Sequence, residues 1–165
     1  MHSVRAVETE SAPKCLMQVQ AAVTIVPLVV LVALALLVPA YATTTMRVGG
    51  RSFVLQVADD DATRERGLSG RRILARDGGM LFAYNQSGQY CYWMEDMRFS
   101  LDMLWLNASK QVTYIKSDAT PGSYPQQFCP PSPSQYVIEL NAGTARAVGV
   151  HIGQTINFYS PDVLY

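Results

Sequence analysis

The longest apolar stretch of the chain covers residues 21–38, within a segment between Lys14 and Arg47 that has no charged side chain. A helix of about 20 apolar residues is what spans the hydrocarbon core of a bilayer. The pattern therefore predicts one N-terminal transmembrane helix or signal segment. The chain then divides into three parts: an N-terminal tail (1–19), the transmembrane anchor or signal peptide (20–42) and a single β-rich domain (43–165).

The end of this segment bears on whether it stays attached to the domain. Ala40-Tyr41-Ala42 has the small-x-small form that signal peptidase cleaves. The apolar stretch, however, exceeds the roughly 7–15 residues of a signal-peptide core. The prediction favours a retained membrane anchor, with secretion after cleavage behind Ala42 as the alternative. Either outcome would place the domain outside the cytoplasm, although the flanking Lys and Arg residues do not fix the orientation.

After this segment, short alternating or apolar runs separated by Gly, Asn and Pro are typical of β-strands. In the first hairpin, Gly49-Gly50 joins residues 45–48 to Arg51–Ala58, because glycine accepts the positive φ of a tight turn. The pattern predicts a mostly β (α+β) fold, a compact antiparallel β-barrel or sandwich-like domain with two short helices. Further strands are predicted at 80–84, 89–94, 101–106, 111–116, 136–140 and 154–159, the helices at 62–66 and 143–148, and a loop at 118–133.

The charge balance argues against a polyanionic partner. Lys and Arg number 13, as do Asp and Glu, so the formal net charge is zero. A nucleic-acid-binding domain normally has a basic surface, so no nucleic-acid partner is predicted. The arginines between residues 64 and 76 alternate with acidic residues, which indicates a solvated, salt-bridged face. No phosphate-binding or dinucleotide motif occurs, and no cofactor is predicted.

The domain has two cysteines, Cys91 and Cys129. An even pair in an exported domain favours a disulfide, here one that would tie a Pro-rich loop to a strand. The alternative is two buried free thiols that pack as small hydrophobic side chains. No metal site is predicted, because His151 is the domain's single histidine and no second cysteine lies at ligand spacing.

Five residues are candidates for ligand binding because carboxylates and an aromatic ring occur together. Paired carboxylates beside an aromatic side chain are the components of a sugar-binding groove or of a glycosidase-like acid–base site. They are equally compatible with a structural role, in which backbone amides or arginines satisfy the carboxylates. Asp102 interrupts an apolar run and must have a partner if it is buried, with Arg98 or backbone amides as the expected donors. The candidates are Trp93, Glu95, Asp96, Asp102 and Glu139; no catalytic residue is assigned.

Five motifs in order give the chain a resemblance to domain-of-unknown-function family 192. They are Arg66-Gly67-Leu68, Gly79-Met80-Leu81-Phe82, Trp93-Met94, Leu101-Asp102-Met103-Leu104-Trp105 and Glu139-Leu140-Asn141-Ala142-Gly143. The resemblance covers nearly all of residues 47–158 and implies a compact β-rich domain, often behind a signal peptide or membrane anchor. No activity is established for that family. The chain departs from the family pattern at Glu95-Asp96, where Lys-Asn is common, and at Ser100, where a proline is usual.

Together these patterns predict an envelope domain, membrane-anchored or secreted, that binds a carbohydrate or another small polar ligand. One alternative is an enzyme that acts on envelope glycans through Asp102 and Glu139. Another is a structural accessory of a membrane protein. An exposed cleft that brings the candidate side chains together would favour binding or catalysis over the structural role.

Overall fold

The computed structural model describes residues 41–159, which form a seven-stranded sheet with two short α-helices. The predicted membrane segment lies outside the described residues apart from Tyr41 and Ala42. Within residues 41–159, no helix has the length and apolar character needed to cross a bilayer. The elements are β1 (Thr43–Val48), β2 (Arg51–Ala58), α1 (Asp61–Arg66), β3 (Gly78–Gly88), β4 (Leu101–Leu106), β5 (Val112–Ala119), a 3-10 turn (Pro121–Ser123), β6 (Ser134–Asn141), α2 (Thr144–Ala147) and β7 (Asn157–Phe158).

The sheet has the strand order β5-β4-β6-β3-β2-β1-β7 and curls into a half-barrel. Every neighbouring pair is antiparallel except β2 and β3, which run parallel and are connected through α1. An isolated bridge between Gln111 and Thr155 joins the segments beside the two edge strands. The predicted mostly β fold with two short helices is confirmed.

Strand β6 shows how the sheet supports two separate cores. Successive side chains of a strand point to opposite faces, so Ile138 and Leu140 lie on one face, called face A, and Val137 and Glu139 on the other, called face B. Face A packs against β7 and α2. Face B packs against the segments that follow α1, β3 and β5. All of β6 except Asn141 is buried as a result.

The predicted hairpin is confirmed, and the helix predicted at 62–66 is present as α1 (Asp61–Arg66). Gly49 and Gly50 both adopt positive φ between β1 and β2. Asp60 caps α1 by accepting a hydrogen bond of 2.7 Å from the Thr63 amide, and the Asp60 backbone N–H donates to the Thr63 hydroxyl oxygen at 3.3 Å. The helix ends at Gly67.

One predicted strand is absent, and others differ in extent. Residues 89–94 do not form a strand, since their ladder pairing is the isolated bridge between Tyr92 and Phe128. The last strand is restricted to Asn157–Phe158. Strand β3 covers Gly78–Gly88 instead of the predicted 80–84. At its start, β2 and β6 flank Gly79 so closely that a Cβ there would lie 2.7 Å from the Glu139 carbonyl oxygen.

The predicted disulfide between Cys91 and Cys129 is confirmed, with the two Cα atoms 4.3 Å apart. The adjacent residues Tyr92 and Phe128 exchange two backbone hydrogen bonds of 3.0 and 2.7 Å. The disulfide therefore fastens the loop after β5 to the segment after β3, and both of these cover face B.

Reduction of this disulfide should lower the free energy of unfolding by about 3–4 kcal/mol, since it closes a loop of nearly forty residues in the unfolded chain. Urea unfolding with and without reductant measures the loss, and Cys91→Ser/Cys129→Ser should reproduce it. A reductant effect that persists in the double variant would show that the loss has another source. Thiol titration that finds both cysteines free in protein extracted from cells would contradict the pairing itself.

Candidate functional site

A cavity of about 450 Å³ lies on face B, beneath the C-terminal end of α1. Its walls come from residues 64–69, residues 82–97 and Glu139, and it is named the Glu139 cavity after its most buried acidic residue. The lining residues are Arg64, Glu65, Arg66, Gly67, Leu68 and Ser69 from α1 and the following turn, Phe82, Tyr84 and Glu139 from the sheet, and Cys91, Tyr92, Trp93, Glu95 and Met97 from the segment after β3.

Glu139 is a carboxyl group in a largely apolar setting. It lies between Met80 on β3 and Met103 on β4, and the residue is 4% exposed. No donor among residues 41–159 makes a hydrogen bond to its carboxyl group. Burial raises the pKa of Glu139 from 4.5 to about 8, and the charge of Arg71 partly offsets this effect. The carboxyl group is therefore mostly protonated at neutral pH.

Tyr84 and Tyr92 place a pair of hydroxyl groups in the same cavity, with their oxygens 2.9 Å apart. The Tyr84 ring stacks on Tyr90 with the centroids 3.4 Å apart. The Tyr92 ring meets Phe82 edge-on, with the centroids 5.0 Å apart. Burial raises the pKa of Tyr84, and raises that of Tyr92 well above its ordinary value. Both phenols therefore stay protonated and can serve as hydrogen-bond donors and acceptors.

Arg64 brings a cation to the cavity wall, but its guanidinium is already engaged. It donates to the backbone carbonyls of Asp59 and Ala83, the latter at 2.8 Å, and to the Asp61 carboxylate at 2.7 Å. Its central carbon lies 5.1 Å from the centroid of the Tyr84 ring. These contacts fix Arg64 against the wall and account for most of its donor capacity.

Trp93 and Glu95 form the exposed rim of the cavity. The Trp93 side chain is among the exposed large apolar groups, and its indole N–H donates to Glu95 Oε2 at 3.1 Å. The other carboxylate oxygen of Glu95 accepts from the Tyr124 hydroxyl at 3.2 Å. The hydrogen bonds hold the indole in one orientation at the cavity mouth.

The structure thus brings together three of the five predicted ligand-binding residues: Trp93, Glu95 and Glu139 line the same cavity. Asp96 is exposed and does not line it, and its backbone carbonyl accepts a hydrogen bond from the Gly70 amide. Asp102 is paired with Leu140 in the sheet and belongs to face A, opposite to Glu139. Asp102 and Glu139 therefore do not share a cavity, and the geometry does not support an acid–base pair made of these two residues.

Asp102 is satisfied within the fold. Its carboxylate accepts hydrogen bonds from the Asp118 amide at 3.0 Å and the Ala145 amide at 2.9 Å, each on a different oxygen. These are backbone amides, one of the two kinds of partner that the sequence predicts. The carboxylate thereby ties β4 to the end of β5 and to α2.

The sequence pattern does not indicate Arg64, Tyr84 or Tyr92 as ligand-binding residues. Tyr84 lies two residues after Phe82, so the alternation along β3 could have assigned it to the same face. The contribution of Arg64 and Tyr92 depends on how α1 and the segment after β3 fold over the sheet, which has no local signal. Among the described residues, no group of three His, Cys, Asp or Glu side chains could hold a metal ion.

Comparison with known proteins supports the resemblance noted in the sequence. The family model DUF192, described as "Uncharacterized ACR", matches residues 44–158. A crystal structure of a Sinorhizobium meliloti protein, provisionally described as a transcription regulator, is 32% identical, with a TM-score of 0.67 over 73% of this chain and 97% of that chain. A protein of unknown function from Novosphingobium aromaticivorans is 24% identical and shares the fold, with a TM-score of 0.63 over 71% of this chain and 84% of that one. No curated protein matches the chain.

Proposed function

This chain belongs to the DUF192 family, whose description names no activity, and we propose from the cavity itself that the domain binds a small polar ligand, with a carbohydrate as the favoured class. The observation that carries the proposal is the set of side chains in the Glu139 cavity. A carboxyl group without a hydrogen-bond donor and two tyrosine hydroxyls lie inside, beneath an indole at the mouth. Ligand sites of this kind combine apolar walls with a few convergent polar groups.

The cavity suits a sugar better than a purely apolar molecule. The half-exposed Trp93 offers a flat apolar surface against which a sugar ring can stack, and its orientation is fixed by Glu95. The protonated carboxyl of Glu139 and the hydroxyls of Tyr84 and Tyr92 can each donate or accept. A ligand with several hydroxyl groups can therefore satisfy groups that would otherwise depend on water.

We also propose that this binding takes place outside the cytoplasm. The support is the uncharged apolar segment over residues 20–42 together with the disulfide between Cys91 and Cys129, because disulfides persist in oxidising compartments. An envelope sugar is a ligand that such a domain would meet there.

The binding proposal is tested with purified full-length protein and a panel of envelope monosaccharides, N-acetylglucosamine and N-acetylmuramic acid among them. We expect at least one sugar to raise the melting temperature and to change the fluorescence of Trp93. Trp93→Ala should weaken this binding by about 10-fold, the effect of losing about 1.4 kcal/mol of ring contact.

Ile73 provides the matched control, since it is a large apolar side chain that is 81% exposed and does not line the cavity. Ile73→Ala should leave sugar affinity unchanged. If no sugar binds, or if the two variants weaken binding equally, the cavity is not the sugar site. A structural accessory role would then be the better account of the domain.

A further inference from the structure

We infer that the ligand of the Glu139 cavity carries a protonated amino group, which forms an ion pair with the Glu139 carboxylate inside the cavity. This inference rests on the proposed binding function and names the chemistry of the ligand. An amino sugar is the ligand class that combines such an ammonium group with the hydroxyls expected above.

The first argument is the contrast between Asp102 and Glu139, the two buried carboxyl groups among residues 41–159. Asp102 accepts hydrogen bonds from two backbone amides, one on each carboxylate oxygen. Glu139 is 4% exposed, receives no hydrogen bond from any described residue and lines the Glu139 cavity. Buried polar groups in native proteins normally have partners, so a carboxyl group without a protein donor that lines a cavity is open to a donor from water or from a ligand.

The second argument concerns the charged and titratable groups that surround Glu139. Arg71, in the segment after α1, is the cation that acts on it, and this guanidinium donates to the Gln56 side chain at 2.6 Å. Arg64 on α1 is engaged by two carbonyls and a carboxylate. Tyr84 on β3 and Tyr92 in the following segment are neutral phenols.

Glu139 forms no salt bridge with any described residue, although the charge of Arg71 acts on it. Because burial favours the protonated acid, an arriving ammonium group would allow the carboxyl to ionise and form a charge-assisted hydrogen bond. The binding of a protonated amine at neutral pH should then release a proton from Glu139 to the solvent.

The third argument is that the walls suit a cation. Phe82, Tyr92 and Trp93 line the same cavity as Glu139. Aromatic faces attract cations, and this attraction is greater where water is excluded. A neutral sugar could stack on these rings but would lack the attraction between an aromatic face and a cation.

Calorimetric titration of the full-length protein at neutral pH tests the inference with four probes. Glucosamine, glucose and N-acetylglucosamine share one ring and differ at the amino group, whereas ethanolamine keeps the ammonium group without the ring. Glucosamine should bind about 10–100-fold more tightly than glucose, the range expected for a hydrogen bond between charged groups. Repeating the titration in buffers of different ionisation enthalpy should show release of close to one proton per glucosamine bound.

Two variants test whether Glu139 is the group responsible for the glucosamine preference and the proton release. Glu139→Gln should remove the preference for glucosamine over glucose and abolish the proton release. Asp96→Asn changes a nearby exposed carboxyl group that does not line the cavity, and it should keep both the preference and the proton release.

The outcomes separate the inference from the function on which it rests. Equal affinities for glucose and glucosamine would contradict the proposed amino group and would leave the sugar-binding proposal intact. A glucosamine preference that survives in Glu139→Gln would also overturn it. Ethanolamine binding more tightly than glucose would support the amine and replace the sugar by a smaller amine as the ligand class. Binding of none of the four probes would overturn both proposals.

Discussion

Glu139→Gln should make the folded protein more stable at about pH 8 by on the order of 4 kcal/mol, and should change its stability little at about pH 4. Burial raises the pKa of Glu139 from 4.5 in the unfolded reference to about 8 in the fold. Each unit of pKa difference between the two states corresponds to about 1.4 kcal/mol.

The sign follows from which state is ionised. Below pH 4.5 the carboxyl is protonated in both states and contributes no difference. As the pH rises from 4.5 towards about 8, the unfolded chain ionises while the folded protein keeps its proton, so the unfolded state gains stability. The wild-type protein should therefore lose stability across this window, and a neutral glutamine should remove the Glu139 contribution to that loss.

Urea unfolding at several pH values measures the difference between wild type and variant. Glu65 supplies a control, because it is an exposed carboxyl on α1 that also lines the cavity. Glu65→Gln should change the free energy of unfolding by less than about 0.5 kcal/mol throughout. A stability difference for Glu139→Gln that does not grow with pH would show that the carboxyl titrates normally and is not held in its protonated form by burial.

The elements that the sequence predicts well are those specified by neighbouring residues. The β1–β2 hairpin follows from two glycines between alternating strands, and the start of α1 follows from the Asp60 cap. The segment 89–94 has the same β-forming composition, yet it makes just one bridge, at Tyr92. A strand exists only where another strand is available to pair with it, and that depends on distant parts of the chain.

The candidate site was predictable by residue type but not by position. Aromatic and carboxylate side chains suit sugar binding, and on this ground the sequence indicates Trp93, Glu95 and Glu139. The structure places all three at one cavity. The sequence could not separate Asp102 from Glu139, since both are acidic residues in apolar strands. Their separation depends on the register of β4 against β6, in which Met103 rather than Asp102 lies opposite Glu139. A shift of one residue would have placed both carboxyl groups on one face.

The same register makes Asp102 the second residue whose replacement should have a large effect. Asp102→Asn should lower the free energy of unfolding by about 2–4 kcal/mol, the cost of leaving a buried donor unsatisfied and of weakening a charge-assisted bond. The two amides of Asp118 and Ala145 bind different carboxylate oxygens. Asparagine has one acceptor oxygen, so its side-chain NH₂ group would face one of these N–H donors.

Asp118→Asn is the matched control for this prediction, because Asp118 lies at the same junction with an exposed side chain and uses its backbone amide for the contact. Asparagine also tolerates the positive φ of this position, so the control should change stability by less than about 0.5 kcal/mol. Urea unfolding of both variants measures the contrast. If Asp102→Asn is as mild as the control, the carboxylate does not hold β4, β5 and α2 together, and a role in ligand recognition on face A becomes the better explanation of an acidic residue at this site.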